Sequence, residues 1–229
     1  MSKVYIPAEN AEQWKQFLAD PEKHWRQGFS ARTLAYSWQE SEGFPREVHA
    51  ALSASPHFSD IDLLLAIPEH KVALPGGSRS SQNDVWVLAR AHGNLVSIAV
   101  EGKVSETFGP TMQEWLVDAA SDKAKRLAYL RTELGIEAEV QLPDSLRYQL
   151  LHRTASAIIE AKRFNATHAI MLVHSFSQSS PPEWFQDYFD FVRLFGGSAE
   201  TGKLVSVGTR NGVSLHFAWA CGDARYLSK

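Results

Sequence analysis

The chain has 229 residues, 44% of them hydrophobic, and a formal net charge of -3. That is apolar material for one substantial core, and nothing in the pattern demands a second. The charge excludes a surface uniformly attractive to nucleic acid, while the single cysteine, Cys221, excludes an intrachain disulfide framework and fits a reducing compartment. No stretch approaches the roughly 18 uncharged apolar residues of a membrane span. The start lacks the basic and apolar pattern of a secretion signal. A cytoplasmic protein with no membrane partner is expected.

In chain order, the first forty residues hold Trp14, Phe17, Trp25, Phe29, Leu34, Tyr36 and Trp38, too aromatic for a disordered tail, and read as short helices packed over a sheet. Residues 45–52 read as a helix. Residues 60–67 and 71–74 read as a first strand region, followed by a polar loop over 75–83. That loop is either an ordinary connection or, beside an active site, a place where Arg79 meets a phosphate.

Residues 84–90 and 95–101 both alternate as strands do, and His92-Gly93 between them suits a tight two-residue turn. If Ala91 pairs with Asn94, counting outward brings Asp84 directly opposite Glu101, with Cβ atoms roughly 4.5 to 5.5 Å apart. Lys103 follows on the same face. The other face carries Val85, Val87, Ala89, Val96, Ile98 and Val100, an apolar set whose burial pins the register. Opposed carboxylates destabilise a sheet by up to about 1 kcal/mol. Either a hard divalent cation compensates, with Lys103 serving phosphodiester chemistry, or Lys103 neutralises the pair as a surface salt bridge.

An Asp, a turn, and Glu-x-Lys at the end of the next strand resembles the PD-(D/E)xK nuclease superfamily. The resemblance implies a restriction endonuclease-like α/β fold with a central mixed β-sheet flanked by helices. Its core would span about 44–176, with a helical insertion over 107–144 and a C-terminal helix plus hairpin over 181–229, all in one domain. It implies Asp84 and Glu101 as metal ligands, Lys103 as catalytic lysine, and Mg²⁺ or Mn²⁺ as cofactor. Asn83 stands where the motif's proline would be. On this resemblance the chain is a metal-dependent nuclease, or a catalytically silent nuclease-fold binding module of a defence or repair system. The partner would be nucleic acid, DNA ahead of RNA, and such enzymes often act as homodimers.

Residues 146–161 supply the crossover helix of that pattern: Leu146, Leu150, Thr154, Ala157, Ile158 and Ala161 form an apolar stripe at helical spacing. Gln149, Arg153, Ser156 and Glu160 lie on the other side. By the resemblance Gln149 and Arg153 contact phosphate or orient the carboxylates, and Glu47 on the first helix is a further acidic ligand; a solvated helix face is the alternative. Residues 169–173 read as the next strand, 111–133 as a long helix, 183–194 as an aromatic amphipathic helix, and 203–208 with 213–220 as a second hairpin turning at Asn211-Gly212. Lys123, Lys125, Arg126, Arg131, Lys162 and Arg163 form basic clusters that serve a nucleic acid only if they face the carboxylates' side. Cys221 reads as a small buried residue, and His168 and His174 as rim residues on one strand.

Other motifs fail on context. Gly197 to Lys203 has phosphate-loop spacing, but Leu204 replaces the required Ser or Thr and the helix precedes rather than follows. No zinc-type histidine pair or Gly-x-Ser-x-Gly is present.

Overall fold

The computed structural model describes residues 8–118 and 121–229. Six strands form one mixed open sheet in the order β1-β2-β3-β4-β6-β5: β1 (Asp62–Val72), β2 (Ser81–Ala91), β3 (Asn94–Lys103), β4 (His168–Ser175), β5 (Leu204–Arg210) and β6 (Val213–Cys221). β1, β2 and β3 pair antiparallel, β3, β4 and β6 run parallel, and β5 is antiparallel at the far edge. Helices cover both faces. On one lie α1 (Pro21–His24), α2 (Ser30–Gln39) and α3 (Arg46–Ser53), on the other α6 (Tyr148–Arg163) and α7 (Phe185–Arg193). The α/β class is as expected from the sequence.

The β2–β3 register is the expected one, with Ala91 opposite Asn94 and Val85 opposite Val100. His92 and Gly93 both have positive φ, 47° and 80°, the geometry that lets a two-residue turn follow the strand twist. Val85, Val87, Val96, Ile98 and Val100 are fully buried beneath the N-terminal helices. A one-residue slip would turn this set to the opposite face.

The first strand departs from expectation. β1 runs unbroken through Pro68, where the sequence suggested an interruption. β1 is the sheet's edge, so the amide that proline lacks is not needed for a second ladder. Glu69, with φ 52°, follows it.

The long helix expected over 111–133 is two helices, α4 (Met112–Leu116) and α5 (Ser121–Leu134), with residues 119–120 outside those described. Thr111 and Glu114 form a reciprocal capping box that starts α4. α6 is amphipathic as expected, yet Arg153 and Glu160 on its polar side are buried too. It ends where Asn165 adopts φ 54°, a left-handed cap that asparagine tolerates. Among the described residues no helix is long and apolar enough to cross a membrane.

Candidate functional site

α6 is the crossover between parallel strands β3 and β4, so its N-terminal turns lie over the end of β3 that carries Glu101 and Lys103. Lys103 Nζ lies 2.6 Å from Glu101 Oε1 and donates to Gln149 Oε1 at 3.3 Å, while its ammonium stands 5.0 Å from the Phe108 ring. Gln149 Nε2 donates to the same Glu101 oxygen at 2.8 Å, and Arg153 Nε donates to the other at 2.6 Å. Arg153 Nη2 reaches within 3.8 Å of Asp84 Oδ1, and Asp84 Oδ2 accepts the Gly102 amide at 2.8 Å. Five of the residues named from the sequence thus converge: Asp84, Glu101, Lys103, Gln149 and Arg153.

Glu47 does not join them. It lies beneath the opposite face of the sheet, where it bonds His174 Nε2 at 2.9 Å, and Trp38 Nε1 donates to the other nitrogen of that ring at 3.2 Å. His174 is therefore a fully buried core residue, not a rim one. Cys221, expected to be buried, is exposed at the end of β6.

The sequence reading missed Glu69. Pro68 pairs with Val85 and His70 with Asn83, which sets Glu69 across from Asp84 as Glu101 stands across from it on the other side. Three carboxylates therefore stand on three adjacent strands, and Gln82 Nε2 donates to Glu69 Oε2. Only a strand continuing past Pro68 would have revealed Glu69. Ser81 and His152 were also missed. The Ser81 hydroxyl and His152 Nδ1 are 2.8 Å apart, and Arg153 Nη1 donates to the same hydroxyl at 3.3 Å, fixing the guanidinium from behind.

The charges are unevenly matched. Burial alone would raise Glu101, but Arg153 and Lys103 outweigh it and hold its pKa at about 2. Burial, reinforced by the Glu101 charge, pushes Asp84 up to about 7. Burial and Asp84 push Glu69 to about 8 against the pull of Gln82. Burial and the adjacent Arg153 cation keep His152 neutral.

Glu69, Gln82, Asp84, Glu101, Lys103 and Arg153 line a cleft of about 290 Å³ whose opposite wall comes from the N-terminal region: Leu18, Ala19, His24 and Phe29 to Ala31. Glu106, just past β3, ties that wall to the sheet by accepting the amides of Ser30 at 2.8 Å and Val104 at 3.0 Å. The polar loop before β2 faces elsewhere. Arg126 donates to the carbonyls of Leu74, Pro75 and Gly77, and Gly76, at φ 80°, lies so close to α5 that a Cβ would stand 2.2 Å from the Asp122 carbonyl. Arg79 is not among the residues lining the cleft.

Most of the basic clusters are spent internally. Lys123 bonds the Trp115 carbonyl, Arg131 those of Glu137 and Val140, Lys162 pairs with Glu133, and Arg163 with Glu160. The family model for a domain of unknown function, DUF6946, matches residues 7–224. The chain belongs to the DUF6946 family. The match includes every residue of the DUF6946 cleft described above. No curated protein and no solved structure matches the chain.

Proposed function

We propose that this DUF6946 chain is a Mg²⁺- or Mn²⁺-dependent nuclease with a restriction endonuclease-like core, hydrolysing phosphodiester bonds of nucleic acid. One observation carries the reading: Asp84, Glu101 and Lys103 from β2 and β3 meet Arg153 from the crossover helix around one cleft, with Gln149 of that helix bonded to Glu101 and Lys103. The succession of helix, three antiparallel strands, crossover helix and parallel strand supports it, being the order of the PD-(D/E)xK core.

The donor set suits a hard divalent cation. Asp84 Oδ1 has its nearest cation at 3.8 Å, beyond hydrogen-bond range, and only one Glu69 oxygen accepts a hydrogen bond from a described residue. When all three carboxylates are ionised they exceed Lys103 and Arg153 by one negative charge. Among the described residues no three His, Cys, Asp or Glu side chains are grouped as a metal cage, but Mg²⁺ characteristically takes one or two carboxylates and completes its shell with water and phosphate. Asp84 and Glu69 would hold the ion; Glu101, the ligand expected from the hairpin, already has both oxygens bonded. Bound there, such an ion would polarise a phosphodiester and lower the pKa of a water. Lys103 holds an ammonium beside the carboxylates, where negative charge developing on phosphate is stabilised. Gln149 and Arg153 fix Glu101, and with it the position of that ammonium.

A second reading, the silent binding module, draws on Arg153, whose guanidinium already neutralises Glu101 where a cation would otherwise be needed. Cleavage assays separate the two. Purified protein with Mg²⁺ or Mn²⁺ should cut nucleic acid, and Asp84→Ala and Lys103→Met should each abolish cutting. Failure to nick or degrade any DNA or RNA, or activity surviving in Asp84→Ala, would overturn the enzymatic reading.

A further inference from the structure

Resting on that reading, we infer that the cleft takes an unpaired nucleotide, from a single-stranded or frayed end, with its base stacked on Phe29. Phe29 is 39% exposed and lines the cleft. It has no ring contact with another described residue. A part-exposed aromatic side chain at the mouth of a cleft with charged groups on its far wall is what a base's π face needs, and stacking of this kind tolerates any base.

The walls set the size. A space of about 290 Å³ sits at the small end of the roughly 300–1,000 Å³ typical of small-ligand sites. Glu101 and Lys103, at 2% and 4% exposure, lie deep in it, whereas Phe29 is at its rim. The wall bearing Phe29 is held by the Ser30 amide on Glu106 at 2.8 Å, so the site is preformed. A cleft this narrow, with Phe29 at its rim and the carboxylates on its far wall, suits a single nucleotide that has left a helical stack, as in enzymes that take bases out of the duplex.

The electrostatics agree. A protein that tracks a duplex neutralises several phosphates with free Lys and Arg, but on α5 and α6 Lys123, Arg131 and Lys162 are paired internally and Arg126 is buried, leaving Lys125 and Arg163 exposed. Stacking supplies affinity without them.

Fluorescence anisotropy in EDTA, where no cleavage occurs, tests this. The probes are a labelled oligodeoxynucleotide, its blunt duplex, and the matching oligoribonucleotide. Unpaired strands should bind at least about tenfold tighter than the duplex, Phe29→Ala should lose about tenfold, and Phe29→Trp should keep the wild-type affinity. The two single-stranded probes show whether deoxyribose or ribose is preferred, and Phe29-dependent binding of either supports the inference. Duplex binding equal to single-strand binding, or Phe29→Ala binding like wild type, overturns it. Cleavage with no preference for unpaired strands would sink this inference and leave the nuclease; Phe29-dependent binding without cleavage would do the reverse.

Discussion

Arg153 Nε lies 2.6 Å from Glu101 Oε2 while its Nη2 lies 3.8 Å from Asp84 Oδ1, so one guanidinium spans the two carboxylates that the β2–β3 hairpin brings together. With Lys103 it gives Glu101 two buried cationic partners and leaves Asp84 and Glu69 under-compensated. The site is thus divided into a neutralised half that holds the geometry and an acidic half open to the cleft.

The neutralised half should be structural as well as chemical. Glu101, Lys103 and Arg153 are 2%, 4% and 6% exposed, and removing one partner of a buried ion pair typically costs about 3–5 kcal/mol. Urea denaturation of Glu101→Gln should show a loss of that order at neutral pH. Because the folded pKa of about 2 lies below the ordinary 4.5, this contribution is present above 4.5 and lost as pH falls from there towards 2. A loss under about 1 kcal/mol would contradict the pairing.

Asp84 should behave in the opposite sense. Its folded pKa of about 7 lies above the ordinary 3.8, so folding favours its protonated form, and the cost of ionising it accumulates as pH rises from 3.8 to about 7. Asp84→Asn, which keeps an oxygen for the Gly102 amide, should stabilise the protein by on the order of 1 kcal/mol above pH 7 and leave it unchanged below 3.8. Denaturation at both ends of that window checks it. Greater stability together with lost activity would mark a residue kept for function.

At the other end of the sheet, His216 is buried between His168 Nδ1 at 3.0 Å and the Ser206 hydroxyl at 2.8 Å. Burial, with His168 and His57 nearby, lowers its pKa to about 3. The neutral ring therefore stabilises the fold above its ordinary 6.5, and that contribution is lost as pH falls from 6.5 towards 3. Unfolding free energies of His216→Gln from urea denaturation should fall less steeply over that range, by up to about 1.4 kcal/mol per pH unit. An identical slope would mean that His216 is not the group that titrates.

Much of this site could be read from the residues because the hairpin is locally determined. The His92-Gly93 turn and the apolar alternation of Val85 to Val100 fix one register, and the positions of Asp84, Glu101 and Lys103 follow from it. The stripe on α6 located Gln149 and Arg153 by the same periodic logic. Glu69 was not legible, because a proline inside a strand is tolerated only at an edge, and which strand forms the edge is a property of the whole sheet. Glu47 was misplaced for a related reason: the sequence gives α3 but not the face of the sheet it covers. The basic clusters were visible, yet their partners, including backbone carbonyls and acids remote in sequence, were not.

The central claim is that the acidic half of the cleft holds a divalent cation. Calorimetric titration of Mn²⁺ into the wild-type protein and into Asp84→Asn tests it most directly, without depending on a substrate. Saturable uptake by the wild type that disappears in Asp84→Asn is the expected result. Equal heats from the two proteins, or no uptake by either, would contradict it.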